Sequence, residues 1–178
     1  GPRVAVIGAG GIGFDVAEFL VQSKPSSTLE PSRWLAEWGI DPTLNARGGI
    51  EGIAAEPEAP QREVWLLQRT EGALGKRLGK TTGWVHRATL KRARVRMLGG
   101  VEYQRIDDAG LHITVDGQER VLDVDHVIIC AGQVSRRELL DPLKEAGRNV
   151  HLIGGAELAA ELDAKRAIAQ GSELAARL

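Results

Sequence analysis

A single cysteine, Cys130, stands among the 178 residues. One thiol excludes an internal disulfide and any cysteine-built metal cluster within this chain. Such usage fits a reducing compartment, and the cytoplasm is the expected location. No run of 18 apolar residues occurs, so no membrane-spanning helix is expected. The apolar opening Val4-Ala5-Val6-Ile7 is too short and wrongly flanked for a signal peptide. An excess of one charge is also missing: 23 basic side chains face 24 acidic ones, for a net charge of -1. Nucleic acid and membrane surface are therefore not expected partners. Aromatics make up 4% of the chain, which leaves Val, Ile, Leu and Ala to build the core. His86, His112, His126 and His151 lack metal-ligand spacing, and no Ser-His-acid arrangement can be argued. Tyr103, the only tyrosine, has no obvious chemistry in its strand. No catalytic residue is assigned.

Glycine, by contrast, is abundant. There are 22 in the chain, against a usual share of about 7%. Glycine costs backbone entropy, so a surplus points to tight turns or to backbone brought close to a ligand. The densest cluster, Gly8-Ala9-Gly10-Gly11-Ile12-Gly13, matches G-x-G-x-x-G. It lies between the strand RVAVIG and a helix in which Ile12, Val16, Phe19 and Leu20 recur with helical spacing. That context is what the motif requires of a dinucleotide site. The first glycine allows a tight turn, the second leaves room for a pyrophosphate, and the third lets helix and strand pack closely. Free N-H groups at the helix start would face the phosphates. The alternative is a glycine turn with packing duties only.

The remaining pattern is α/β, a Rossmann-like fold with a parallel central sheet, a small antiparallel meander and an insertion after the first helix. Residues 23–62 hold five prolines and read as that insertion, packed on the domain by Trp34 and Trp38 of a short helix. Strands are expected at Glu63 to Arg69 and Val95 to Leu98, with a helix near Trp84 to Lys91 between them. VEYQRI, GLHITV and RVLDV suggest the meander, turning at Asp116-Gly117, with inward Val121 and Val124 and a slip of register in its third strand. His112 falls on the polar side and is expected to be exposed. DHVIICAG reads as a fully buried strand, with Cys130 a small buried apolar residue. Val150 to Gly155 reads as a further strand, followed by a long helix from Glu161 that Gly171 should break or kink. The domain reading is 1–149 for nucleotide binding and 150–178 for a separate closing segment.

The end of the second strand bears on cofactor choice. NAD sites place Asp or Glu there for the ribose 2'-hydroxyl, whereas this strand ends Leu67-Gln68-Arg69. An arginine attracts a 2'-phosphate and an acid repels it, so NADPH is favoured over NADH. Lys76, Arg77 and Lys80 could add positive charge, or could form a solvated loop. In a parallel sheet, ligands collect at the carboxyl ends of strands, which makes Gly132 and Gln133 cofactor neighbours.

RVAVIGAGGIGFD, LAEWGID, LGKTTGWVHR, GVEYQRIDDAGLHITVDG, VIICAGQ and VHLIGGAELAAELDAKRAIAQG together resemble the C-terminal region of bacterial NADPH-dependent 2,4-dienoyl-CoA reductases, flavoproteins related to old yellow enzyme. The resemblance runs through essentially the whole chain. It implies an oxidoreductase in which electrons pass from NADPH to FAD, then through a 4Fe-4S cluster to FMN and a dienoyl-CoA, in degradation of unsaturated fatty acids. By position it implies NADPH contacts at Gly8, Gly10, Gly11, Ile12 and Gly13, and at Gln68 and Arg69, to which Arg77 is added for its charge alone. Gly132 would lie at the returning strand end, beside Gln133 of the sheet-edge reading, and Gly155 in the closing half of an FAD site. FMN, the cluster and the first half of the FAD domain would belong to the rest of the parent flavoprotein, which is the expected partner. Gly1-Pro2 reads equally as native or as a tag scar. Apolar residues of 150–178 would then fold back, pair with a second chain or be partly disordered, with a dimer through the tail favoured. A self-contained NAD(P)-dependent dehydrogenase and a nucleotide-sensing domain are the alternatives.

Overall fold

The computed structural model describes residues 1–22, 25–160 and 162–178. Ser23 and Lys24, the first residues of the expected insertion, and Glu161, the expected start of the last helix, lie outside the described residues. The chain divides into two compact units, Gly1–Ala131 and Gly132–Leu178. That division falls ahead of position 150, where the sequence pattern placed its boundary. No helix among the described residues is long and apolar enough to cross a membrane.

The first unit grows from alternating burial on short strands. In β1 (Arg3–Ile7), Val4 and Val6 face one side and Ala5 the other. β2 (Glu63–Leu67) repeats this with Val64 and Leu66 against Leu67. With β3 (Arg96–Leu98) and β7 (His126–Ile129) they form a parallel sheet ordered β3-β2-β1-β7. One face packs on Phe14, Ala17 and Val21 of α1 (Gly11–Val21) and Leu90 of α3 (Gly83–Arg92). The other packs on the meander of β4 (Glu102–Asp107), β5 (Gly110–Val115) and β6 (Gln118–Leu122), through Leu111, Ile113, Val115 and Leu122. Side chains alternate across a strand with period two, so five-residue strands suffice to build both cores.

Several expectations change here. The buried stripe of α1 is Gly13, Phe14, Ala17 and Val21, while Ile12 and Phe19 are exposed. A 3.6-residue period permits either apolar set, and the position of Gly13 against β1 selects between them. β7 is only half-buried, with Ile129 exposed, because it is the edge strand and has β1 alone as a neighbour. The turn at Asp116-Gly117 forms with both φ angles positive, 51° and 71°. The register slip, however, lies on β4 between Tyr103 and Arg105. β6 pairs regularly, and its inward residue is Leu122, with Val121 exposed. His112 is not exposed: its side chain is 15% accessible. The Asp107 carboxylate holds it at 2.8 Å; with Arg105 this holds the carboxyl down at about 2.

The long connection from α1 to β2 carries α2 (Pro31–Trp38), begun by Pro31 and closed by Gly39 at φ 66°. Trp34 and Trp38 meet with ring centroids 6.1 Å apart. The guanidinium of Arg92, on α3, sits 4.4 Å over the Trp38 ring and donates to the carbonyl of Glu37. Trp38 thus docks the insertion, with a cation as the latch, while Trp34 is exposed and packs against Trp38. Asp41 is buried and accepts bonds from the Thr43 hydroxyl and from the N-H groups of Ala46, Thr43 and Asn45. These bonds draw its pKa down to about 2 and tie loop 41–46 to one conformation.

The second unit holds α4 (Leu140–Glu145), α5 (Gly154–Glu157) and α6 (Ala164–Ala175). The strand expected at Val150 to Gly155 is absent. A lone strand would leave its ladder groups unpaired, and the described residues of this unit include no partner strand. Instead the Gly154 N-H donates to Gln170 Oε1 at 2.7 Å. α6 runs unbroken through Gly171. Asp163 caps its start by accepting from the Arg166 N-H at 2.7 Å, and a mid-helix glycine costs only about 1 kcal/mol against alanine.

Candidate functional site

β1 lies at the centre of the sheet, where the chain first builds outward through β2 and β3 and then returns with β7 on the other side. In open α/β sheets such a reversal leaves a crevice outside the carboxyl ends of the strands. The crevice is present as an open cleft of about 330 Å³. Ile7 to Gly10 form one wall, Gln68 to Glu71 another, and Ala73, Gly75, Lys76, Arg77, Tyr103 and Ala131 complete it.

The glycine bend has the shape a diphosphate needs. Gly8 turns at φ 109°, and a Cβ there would meet the Cys130 carbonyl oxygen at 2.6 Å. A Cβ on Gly13 would overlap the Gly8 carbonyl oxygen, so only glycine lets α1 approach β1 this closely. At Gly10 and Gly11 a Cβ would meet nothing within 4 Å. That open space lies over backbone, and a ligand can fill it. No side chain caps α1, whose N-cap is Gly10. The Phe14 N-H bonds the Gly10 carbonyl at 3.1 Å, so the preceding N-H groups of the first turn are free of intrahelical partners. The first turn also carries no acid that would repel an anion from the positive end of the helix.

The cationic wall is held by packing. Gly75 turns at φ 74° with its α-carbon against the Phe14 ring, where a Cβ would come within 2.8 Å. Arg87 donates to the Gly75 carbonyl at 3.1 Å. Pinned there, loop 70–80 brings Lys76 and Arg77 to the cleft beside Arg69. Among the described residues Arg69 and Lys76 form no ion pair. Gln68 contributes by shape instead of charge. Its amide donates to the carbonyls of Thr70 at 2.9 Å and Gly72 at 3.4 Å, which holds the loop in place beside the cations.

Of the residues singled out from sequence, Gly8, Gly10, Gln68, Arg69 and Arg77 line one cleft, with Gly11, Ile12 and Gly13 opening the helix at its edge. Gly132, Gln133 and Gly155 belong to the second unit. His86 is 3.3 Å from Glu18, joining α3 to α1. Cys130 is part-buried instead of fully buried, and that partial burial raises its pKa. Tyr103 is the residue sequence reasoning missed. Its position opposite Ile113 reads as an ordinary strand residue, and only the fold carries it to the cleft.

A family model described as pyridine nucleotide-disulphide oxidoreductase matches residues 1–164. A metal reductase from Desulforamulus reducens is 26% identical over 157 residues, which cover 88% of this chain and 22% of that protein. Among solved structures, a 2-naphthoyl-CoA reductase determined with 2-naphthoyl-CoA superposes with a TM-score of 0.62 at 18% identity, covering 96% of this chain and 20% of its own. Histamine dehydrogenase from Rhizobium sp. 4-9 superposes with a TM-score of 0.64 at 16% identity, covering 100% of this chain and 23% of its own. At these identities the two structures share the fold with this chain. The chain spans about a fifth of the length of each of these three proteins.

Proposed function

The chain belongs to the pyridine nucleotide-disulphide oxidoreductase family, and on that premise we propose that it is the NADPH-binding portion of a flavoprotein of the 2,4-dienoyl-CoA reductase type. The observation that carries the nucleotide half is the cleft itself: open space over Gly10 and Gly11 at an uncapped helix start, faced by Arg69, Lys76 and Arg77. The acyl-CoA half rests on the motif resemblance. With a single cysteine, this chain holds no redox disulfide of its own.

In this reading the N-H groups at the start of α1 grip the pyrophosphate. Arg69, with Arg77, takes the 2'-phosphate of the adenosine ribose, and Gln68 keeps the loop beneath it in place. Gly132 and Gln133 follow Ala131 in sequence and are assigned to the cofactor from the sequence alone. When bound in the whole protein, FAD supplies the hydride acceptor, with iron-sulfur and FMN carrying electrons onward to the dienoyl-CoA. Gly155 is assigned to the flavin side. Hydride transfer between two stacked rings needs orientation and exclusion of water from the protein. The Tyr103 phenol is held as a neutral donor, raised to about 12 by burial.

Calorimetric titration with NADPH and NADH tests the reading, with Arg69→Ala in parallel. NADPH should bind more tightly, by about 10- to 100-fold for a charge-assisted contact, and the substitution should erase most of that preference. Equal affinity of the unmodified chain for both cofactors would break the 2'-phosphate assignment.

A further inference from the structure

Tyr103 occupies the wall of the cleft that Arg69 also lines. Its ring is anchored from behind, across the ladder from Ile113 and against the meander core. Its hydroxyl is buried and has no hydrogen-bond partner among the described residues. A buried hydroxyl without a partner is costly, and a phenylalanine would fill the same space without that cost. Just beyond it, the register of β4 slips between Tyr103 and Arg105. Bulges of this kind re-aim side chains beside binding sites.

Arg69 is close enough for its charge to favour the tyrosinate, while burial opposes ionisation more strongly. The phenol therefore remains a donor. A guanidinium has donors only, and the phenol here has a donor to spare. Among the described residues these two donors line one cleft and share no acceptor, although Glu71 also lines it. An anionic oxygen between them would satisfy both.

We propose that Tyr103 is a specificity-determining residue of the cleft, donating its hydroxyl proton in a hydrogen bond to the ribose 2'-phosphate that Arg69 attracts. This rests on the NADPH reading above and adds to it a neutral donor that the sequence pattern does not reveal. Tyr103 and Arg69 then read the same phosphate, one by hydrogen bond and one by charge, and their effects on binding are coupled.

The experiment titrates the 178-residue chain and its Tyr103→Phe variant with adenosine 2',5'-bisphosphate and with adenosine 5'-diphosphate. Removing the hydroxyl should weaken the 2',5'-bisphosphate about tenfold, the scale of a hydrogen bond to a charged group, and should change the 5'-diphosphate by less than about twofold. The melting temperature of the ligand-free variant should stay level or rise. In Arg69→Ala/Tyr103→Phe, the combined loss should be smaller than the product of the two single losses. Unchanged affinity for the 2',5'-bisphosphate, equal weakening for both probes, or a lower melting temperature would each overturn the assignment. If the unmodified chain bound neither probe, the nucleotide reading would fall first, and this inference with it.

Discussion

The two units of this chain solve burial differently. Gly1–Ala131 stacks helices on one face of a sheet and a meander on the other, and both of its hydrophobic cores are internal. Gly132–Leu178 is held mostly by polar links. Arg137 donates to the carbonyls of Ala156 and Glu157, and Arg166 to those of Leu158 and Ala160. Its larger apolar residues, among them Val134, Leu139, Leu158 and Ile168, are exposed. Both units have helices with apolar residues at suitable spacing. Among the described residues only the first has a sheet to set them against. An amphipathic pattern specifies a face, and a second layer is needed to bury it.

The largest expected effect is a contrast in stability. Leu66 of β2 is fully buried in the core that α1 covers, so Leu66→Ala should cost about 2–5 kcal/mol. Leu158 is half-exposed at 53%, and Leu158→Ala should change stability by less than about 0.5 kcal/mol. Urea denaturation of both variants measures this, and equal losses would break the comparison.

Glycine gives a second, smaller contrast. A Cβ on Gly13 would strike backbone, whereas one on Gly155 would meet the tip of the Leu162 side chain at 3.1 Å. Gly13→Ala should destabilise the chain by about 1–3 kcal/mol and reduce NADPH affinity more than about tenfold, roughly the loss of one good phosphate contact. Gly155→Ala should be milder in both melting and titration experiments, since Leu162 can move aside.

The smallest effect is the response to acid. Asp41 is the buried charged residue among those described, and its carboxyl lies at about 2 in the fold against 3.8 for the free group. A lowered folded pKa contributes stability that is complete above 3.8 and disappears as pH falls toward about 2. Asp41→Asn should therefore melt lower than the unmodified chain near neutral pH, with the gap closing across that window. A gap that stayed constant with pH would place the stabilisation elsewhere than in the charge of Asp41.

Much of the cleft was legible because it depends on local chemistry. A strand, three spaced glycines and a helix specify a bend whatever surrounds them, and Arg69 can be read from the end of its strand. Gln68 was legible as a neighbour but not in its role, since its bonds to Thr70 and Gly72 depend on how the loop closes. Tyr103 was illegible for a plainer reason: β4 is far along the chain from β1, and nothing in VEYQRI records which cleft the meander will border.

By itself, the order of residues determined the elements whose cause lies within a few positions: the glycine bend, the alternating strands, the Asp116-Gly117 turn and the α2 helix with its tryptophans. The tertiary structure decided which apolar stripe of α1 is buried, that β7 takes an edge, and that residues 150–155 form no strand. Those outcomes turn on partners brought together from distant parts of the chain. Burial and strand pairing are properties of such neighbours, and no local pattern contains them.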